Sequence, residues 1–200
     1  MEPPLHKAAV QGSTASLQAL VKENPKILDS KTPQGNTVLH IAAGFGHVAF
    51  AREALATNRD LLVAKNDQGD TPLHLAARSG KMPVAILLID FIRLAETPWP
   101  EEPLLMTNKA GNTPLHEAVK NRRSAVALML LGAEPICGHK PNKEMITPLH
   151  IAAREGLTEV VDKILGQPWV PEKYVVTEHI NGTALHQAVL GGHTRKTHHP

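Results

Sequence analysis

Two hundred residues, 42% of them apolar, can build one domain with a sizeable core or two small ones. Lys plus Arg number 21 against 19 Asp plus Glu, and the net charge of +2 lacks the concentrated basic face that nucleic acid demands. Aromatics at 3% leave little to stack on bases, and Ala, Leu and Val must fill most of the core. The single Cys137 cannot close an internal disulfide, which fits a reducing compartment. Met1-Glu2-Pro3-Pro4 lacks the basic and then apolar layout of a signal peptide. No run nears the roughly eighteen apolar residues of a membrane span, so the chain as it stands is expected to be soluble and cytoplasmic.

One hexapeptide pattern returns along the chain. It opens as Pro4-Leu5-His6-Lys7-Ala8-Ala9 and is followed by Leu17, Leu20 and Val21, an apolar stripe at helical spacing. Val38-Leu39-His40-Ile41-Ala42-Ala43 begins a second unit. Pro72-Leu73-His74-Leu75-Ala76-Ala77 begins a third, whose stripe of Val84, Leu87, Leu88, Phe91 and Ile92 predicts a longer helix. Pro114-Leu115-His116-Glu117-Ala118-Val119 and Pro148-Leu149-His150-Ile151-Ala152-Ala153 start the fourth and fifth. Val160, Val161, Ile164 and Leu165 then recur with charged residues between them. Ala184-Leu185-His186-Gln187-Ala188-Val189 starts a sixth. The histidines stand at 6, 40, 74, 116, 150 and 186, at intervals of 34, 34, 42, 34 and 36. Six residues beyond each lies Gly12, Gly46, Gly80, Arg122, Gly156 or Gly192.

Each feature has a local cause. Thr37, Thr71, Thr113, Thr147 and Thr183 sit where a helix N-cap needs a hydroxyl to accept a backbone N–H. Pro72, Pro114 and Pro148 follow at the first helical position, where a missing N–H costs nothing. Leu and the paired alanines make a narrow apolar stripe, and glycine ends the helix by taking a left-handed conformation. Two short helices per unit expose an apolar face that only a neighbouring unit can cover.

The Thr-Pro-Leu-His-x-Ala pattern at this spacing resembles the ankyrin repeat over nearly the whole chain. The resemblance implies an all-α solenoid of about six stacked helix–turn–helix units, the last incomplete. The repeats would run over about 1–31, 32–65, 66–107, 108–141, 142–177 and 178–192, forming one domain at 1–192 before a basic polar tail at 193–200. A narrower resemblance lies in Gly35-Asn36-Thr37-Val38-Leu39-His40-Ile41-Ala42-Ala43 and in the connector Asp60-Leu61-Leu62-Val63-Ala64-Lys65-Asn66. Leu104-Leu105-Met106-Thr107-Asn108-Lys109-Ala110-Gly111-Asn112-Thr113 and Asn181-Gly182-Thr183-Ala184-Leu185-His186 belong with them. These segments resemble the plant ankyrin family of accelerated-cell-death type. That family carries a C-terminal membrane domain called PGG and acts in immunity and cell-death control. Nothing in the 200 residues corresponds to such a domain, so the expectation is a fragment or a truncated product. Its repeats would face the cytosol, with the full-length protein at the plasma membrane. A free-standing cytosolic adaptor and a regulatory domain of a membrane channel or transporter are the alternatives.

Departures from the pattern are local. Arg122 stands where glycine ends the other first helices, so either that end is built differently or Arg122 is left-handed. Met145-Ile146 replaces a glycine-containing turn tip. Extra length falls in Glu96-Thr97-Pro98-Trp99-Pro100-Glu101-Glu102-Pro103, and Gln167-Pro168-Trp169-Val170-Pro171-Glu172 is a second proline-rich loop. Trp99 and Trp169 are read as loop anchors or partner contacts.

Chemistry-bearing motifs are weak. Metal binding needs ligands converging at about 2 Å, whereas histidines on successive stacked helices lie roughly 10 Å apart. Local hydrogen bonding that ties one hairpin to the next is therefore the expected role of the repeat histidines. His116-Glu117 begins an H-E-x-x-H, but the fifth position is Lys120. Cys137-Gly138-His139 lacks a second pair of ligands. No catalytic residue, metal or cofactor is expected, and the partner class is other proteins.

Ankyrin-type proteins bind through turn tips and the exposed side of each first helix. Carried over by position, the tips offer Gln34, Asn36, Asp67, Gln68, Asp70, Lys109 and Asn112, with Lys143 and Glu144 beyond them. The helix ends offer Phe45, Arg78, Ser79, Lys120, Asn121, Arg154 and Glu155. Phe45 is the strongest candidate, an aromatic at a position expected to be exposed. Removing Phe45 and Arg78 together is expected to weaken a partner complex without unfolding the stack.

Overall fold

The computed structural model describes residues 1–94, 99, 101–166 and 191. Five helix pairs follow in chain order: α1 (Pro3–Gln11) with α2 (Thr14–Glu23), α3 (Val38–Phe45) with α4 (Val48–Thr57), α5 (Pro72–Ser79) with α6 (Met82–Arg93), α7 (Pro114–Lys120) with α8 (Ser124–Ala133), and α9 (Pro148–Arg154) with α10 (Thr158–Leu165). The first helices form one layer, α1 against α3, α3 against α5, α5 against α7 and α7 against α9. The second helices form the other, α2 to α10 in the same order. The expected all-α solenoid of stacked pairs is what the described residues form. The sixth unit apart from Gly191, the tail, Thr183 and Trp169 lie outside them.

The core runs through the row as one continuous cluster. Leu5, Leu39, Leu73 and Leu115 of the recurrent hexapeptide are buried, as are Ala8 and Ala9, Ala42 and Ala43, and Ala76 and Ala77. Small alanines let successive first helices approach closely, and the larger side chains come from the second layer. Phe50, Leu55, Leu88, Leu130, Leu131 and Ile164 are fully buried there. Each such apolar side chain contributes about 1.5–3 kcal/mol by leaving water. Leu165, counted in the fifth unit's stripe, is exposed at the last position of α10.

Short 3-10 helices at Pro25–Asp29, Arg59–Leu62, Pro103–Leu105 and Pro135–Gly138 follow the second helices. Three of them are capped alike, with the Asn24, Asn58 or Glu134 side chain accepting the N–H two residues on. Trp99 is half-buried against the core and donates its indole N–H to Ile92 O at 3.4 Å, which gives its loop an anchor.

Left-handed backbone recurs at two places per unit. Gly12, Gly46, Gly80 and Gly156 end their first helices at φ 68°, 95°, 70° and 69°, and Arg122 does the same at φ 57°. At the turn tips Gly35, Gly69 and Gly111 have φ 75°, 76° and 80°, and Met145 takes the equivalent place at φ 60°. Glycine is needed at the tips for a second reason. A Cβ on Gly111 would stand 2.6 Å from the Lys143 backbone nitrogen, because adjacent tips are hydrogen-bonded to each other.

Candidate functional site

The exposed face of the first helices and the turn tips is positioned by three ladders that cross from unit to unit. The first is made of histidine. The Nδ1 atoms of His40, His74, His116 and His150 each accept the backbone N–H of the threonine three residues earlier, at 3.1–3.3 Å. The threonine hydroxyl lies 2.7–2.8 Å from the same nitrogen. This is a capping box with histidine at the third helical position. An Nδ1 that accepts leaves the proton on Nε2, and Nε2–H donates into the next unit's turn. The acceptors are Asp70 O at 2.8 Å from His40, Asn112 O at 2.9 Å from His74 and Ile146 O at 3.1 Å from His116. Burial pushes the His40 and His116 imidazoles down to about 4 and lowers His74 as well. The expected tie between hairpins is thus present at His40, His74 and His116; His6, which no threonine precedes, is exposed, and His186 lies outside the described residues.

The second ladder joins the tips. Asp67 N–H donates to Gln34 O, Lys109 N–H to Gln68 O and Lys143 N–H to Ala110 O, at 2.8–3.2 Å. Beneath them the amides of Asn66, Asn108 and Asn142 donate to Asn36, Asp70 and Asn112 at 2.8–2.9 Å. The third ladder covers helix ends. His47 Nε2–H donates to Val10 O at 2.7 Å, and Arg123 Nε to Arg78 O at 3.3 Å, so each satisfies a carbonyl near the end of the preceding first helix.

Under this face, between the third and fourth units, lies a charged cluster. Arg78 Nη1 meets Asp70 Oδ2 and its Nε meets Glu117 Oε2, both at 2.9 Å. Glu117 also accepts from Asn108 and Asn112 at 3.1 Å. Side-chain exposure is 1% for Asp70 and 6% for Glu117. Burial opposes charge on Glu117, but Arg78 and Asn112 hold its carboxyl below the ordinary value. Burial likewise opposes the guanidinium, and the two carboxylates raise it above its own.

This arrangement corrects part of the expected binding set. Asp70 and Asn112 are buried, since the turn's last residue points back under the tip to meet Asn108, Asn142 and Glu117. Asn36 is half-buried and accepts from Asn66. Arg78 is half-buried and committed to two carboxylates, so it is not a free surface cation. Gln34, Asp67, Gln68, Lys109, Lys120 and Arg154 are exposed; Ser79, Asn121 and Glu155 are intermediate. Asn121 donates to Glu117 O at 2.8 Å, and Glu155 pairs with Arg122 at 3.2 Å and with Arg154 at 3.4 Å.

Phe45 is 55% exposed, its ring parallel to that of His47 at 6.0 Å. It lines an open groove of about 320 Å³ with His6, Val10, Thr32, Gln34, Ile41 and Leu75, from three successive units. Sequence reasoning named Phe45 but missed the groove, since Val10 and Leu75 become its walls only once the units stack. It also dismissed Glu117 as a broken metal motif. The one available signal was a carboxylate where the other units carry Lys7, Ile41, Leu75, Ile151 or Gln187.

Among the described residues no group of three or more His, Cys, Asp or Glu is placed to hold a metal ion. Cys137 is buried and burial raises its thiol well above the ordinary value. No helix among them is long and apolar enough to cross a membrane.

No curated protein matches the chain. A family model of three ankyrin repeats matches residues 5–97 and again 60–142, and a single-repeat model matches residues 146–168. Ankyrin repeats generally mediate protein–protein interaction. The matches span most of the length and follow the stacked pairs described above, so the chain belongs to the ankyrin-repeat family.

Proposed function

We propose that this chain is a protein–protein interaction scaffold that takes its partner on the face of turn tips and first helices. The groove walled by Phe45, Ile41 and Leu75 carries the reading: an aromatic left half in water, beside apolar walls, is the usual form of a binding anchor. Gln34, Asp67, Gln68, Ser79, Lys109, Lys120, Asn121, Arg154 and Glu155 would supply contacts along the same face. The ladders support it indirectly. They hold the face rigid, so little conformational entropy is lost when a partner binds. Neither a catalytic step nor a nucleic-acid ligand is part of the proposal.

The context we propose is the cytosolic side of a plant immune or cell-death signalling protein. It rests on the Gly35–Ala43, Asp60–Asn66, Leu104–Thr113 and Asn181–His186 segments that resemble the accelerated-cell-death type. Apolar spans in the reading frame beyond residue 200 would support membrane attachment, and a stop codon there would favour the free-standing adaptor.

The face is tested by affinity capture from plant extract with the wild-type chain and with Phe45→Ser, read by mass spectrometry. Partners retained by the first and lost at least tenfold by the second support the reading. Equal recovery by both, with circular dichroism unchanged, rejects this face.

A further inference from the structure

The binding face is not uniform along the row. Its first half holds the apolar groove at Phe45, with Lys7 on the first helix and Asp67 at a tip as exposed charges of opposite sign. Its second half holds Lys109, Lys120, Arg122, Lys143 and Arg154, all exposed, against one exposed tip carboxylate, Glu144. Among the described residues Lys109, Lys120 and Lys143 make no ion pair, while Arg122 and Arg154 share the single carboxylate of Glu155. Arg78, by contrast, is committed to two buried carboxylates, so that cluster carries a net charge of −1 and adds no positive charge to this patch.

Backbone conformation gives a second, independent observation in the same half. Arg122 and Met145 are the positive-φ residues other than glycine among those described, and both fall where the other units use glycine. Left-handed backbone is unfavourable for a residue with a Cβ. In each case what the unfavourable backbone provides is an exposed side chain on or beside the binding face. Arg122 in particular adds a guanidinium two residues beyond Lys120, where the other described units have glycine.

Resting on the reading above, we infer that the partner segment is an extended acidic peptide with one bulky apolar residue, the apolar side chain in the Phe45 groove and the carboxylates over Lys109, Lys120 and Arg122. The spacing follows from the row. Phe45 and Asn121 are equivalent positions two units apart, about 20 Å at the usual helix spacing. An extended chain covers that in roughly six residues.

The test is selection of a random 16-residue peptide display library on the whole chain, with recovered peptides remeasured by fluorescence anisotropy as synthetic copies. Recovered sequences should pair a bulky apolar residue with two or more Asp or Glu five to seven positions away. Their affinity should fall at least tenfold on raising salt from 50 to 300 mM. Lys109→Glu with Lys120→Glu should weaken binding at least tenfold with unchanged circular dichroism, and replacing the peptide's acids by lysine should restore it to that variant. Arg122→Gly should raise the melting temperature while lowering affinity. Peptides that depend on Phe45 but show no acidic bias and ignore the double charge reversal overturn this inference and leave the binding face standing. Peptides indifferent to Phe45→Ser and to the charge reversal, or no recovered peptide at all, overturn the inference and count against the face.

Discussion

Arg78 on α5 donates its Nε to Glu117 on α7 at 2.9 Å, and the same guanidinium holds Asp70, so one cation joins two carboxylates that water barely reaches. The bond ties the third unit to the fourth inside the row rather than offering charge to a partner.

Removing that cation leaves two buried carboxylates without compensation. Arg78→Ala is expected to cost about 3 kcal/mol, most of it the penalty of the stranded Asp70 and Glu117. Urea unfolding should show the loss as a lower midpoint. The expectation that Arg78 can be cut away without harm to the stack is therefore replaced by its opposite, and Phe45 alone is the clean probe of binding. A change below about 1 kcal/mol would mean that the cluster is solvated in solution.

The clamp histidines make stability depend on pH with a definite sign. Their folded-state values are lowered, so between about 4 and the ordinary 6.5 the unfolded chain takes up protons that the native chain refuses. Stability is fully present above pH 6.5 and is lost as pH falls toward 4, by roughly 3 kcal/mol each for His40 and His116. Glu117, whose value is lowered, adds a loss at still lower pH as its carboxylate is protonated. Urea midpoints at pH 7.5, 5.5 and 4.5 should fall in order. His40→Gln keeps an acceptor at the capping position and should flatten part of that slope.

Two glycines with opposite surroundings separate backbone need from chance. Gly111→Ala puts a Cβ 2.6 Å from Lys143 N at φ 80° and should cost about 2 kcal/mol or more. Gly44 lies inside α3 with nothing within 4 Å of its added Cβ, so Gly44→Ala should gain about 0.5–1 kcal/mol. Thermal melts of the two variants should move in opposite directions.

How far the sequence carries is visible in these same residues. The helix pairs, the caps at Thr37, Thr71, Thr113 and Thr147 and the tie made by the histidines were legible, because each is a local rule repeated at a fixed interval. The left-handed alternative offered for Arg122 is the one observed, since its place in the period demands it. The internal roles of Asp70, Asn112 and Arg78 were not legible. They depend on Glu117, Asn108 and Asn142, which arrive from the same or the next unit by a stacking geometry that no single repeat encodes. The groove at Phe45 was hidden for the same reason, its walls coming from three units.

The repeat histidines are the bolts of the row, and nitrogen-15 NMR of their imidazoles at pH 7 tests that most directly. His40, His74 and His116 should appear as neutral Nε2–H tautomers with protons that exchange slowly with water. Charged rings, Nδ1–H tautomers or rapidly averaged signals at these three positions would contradict that role.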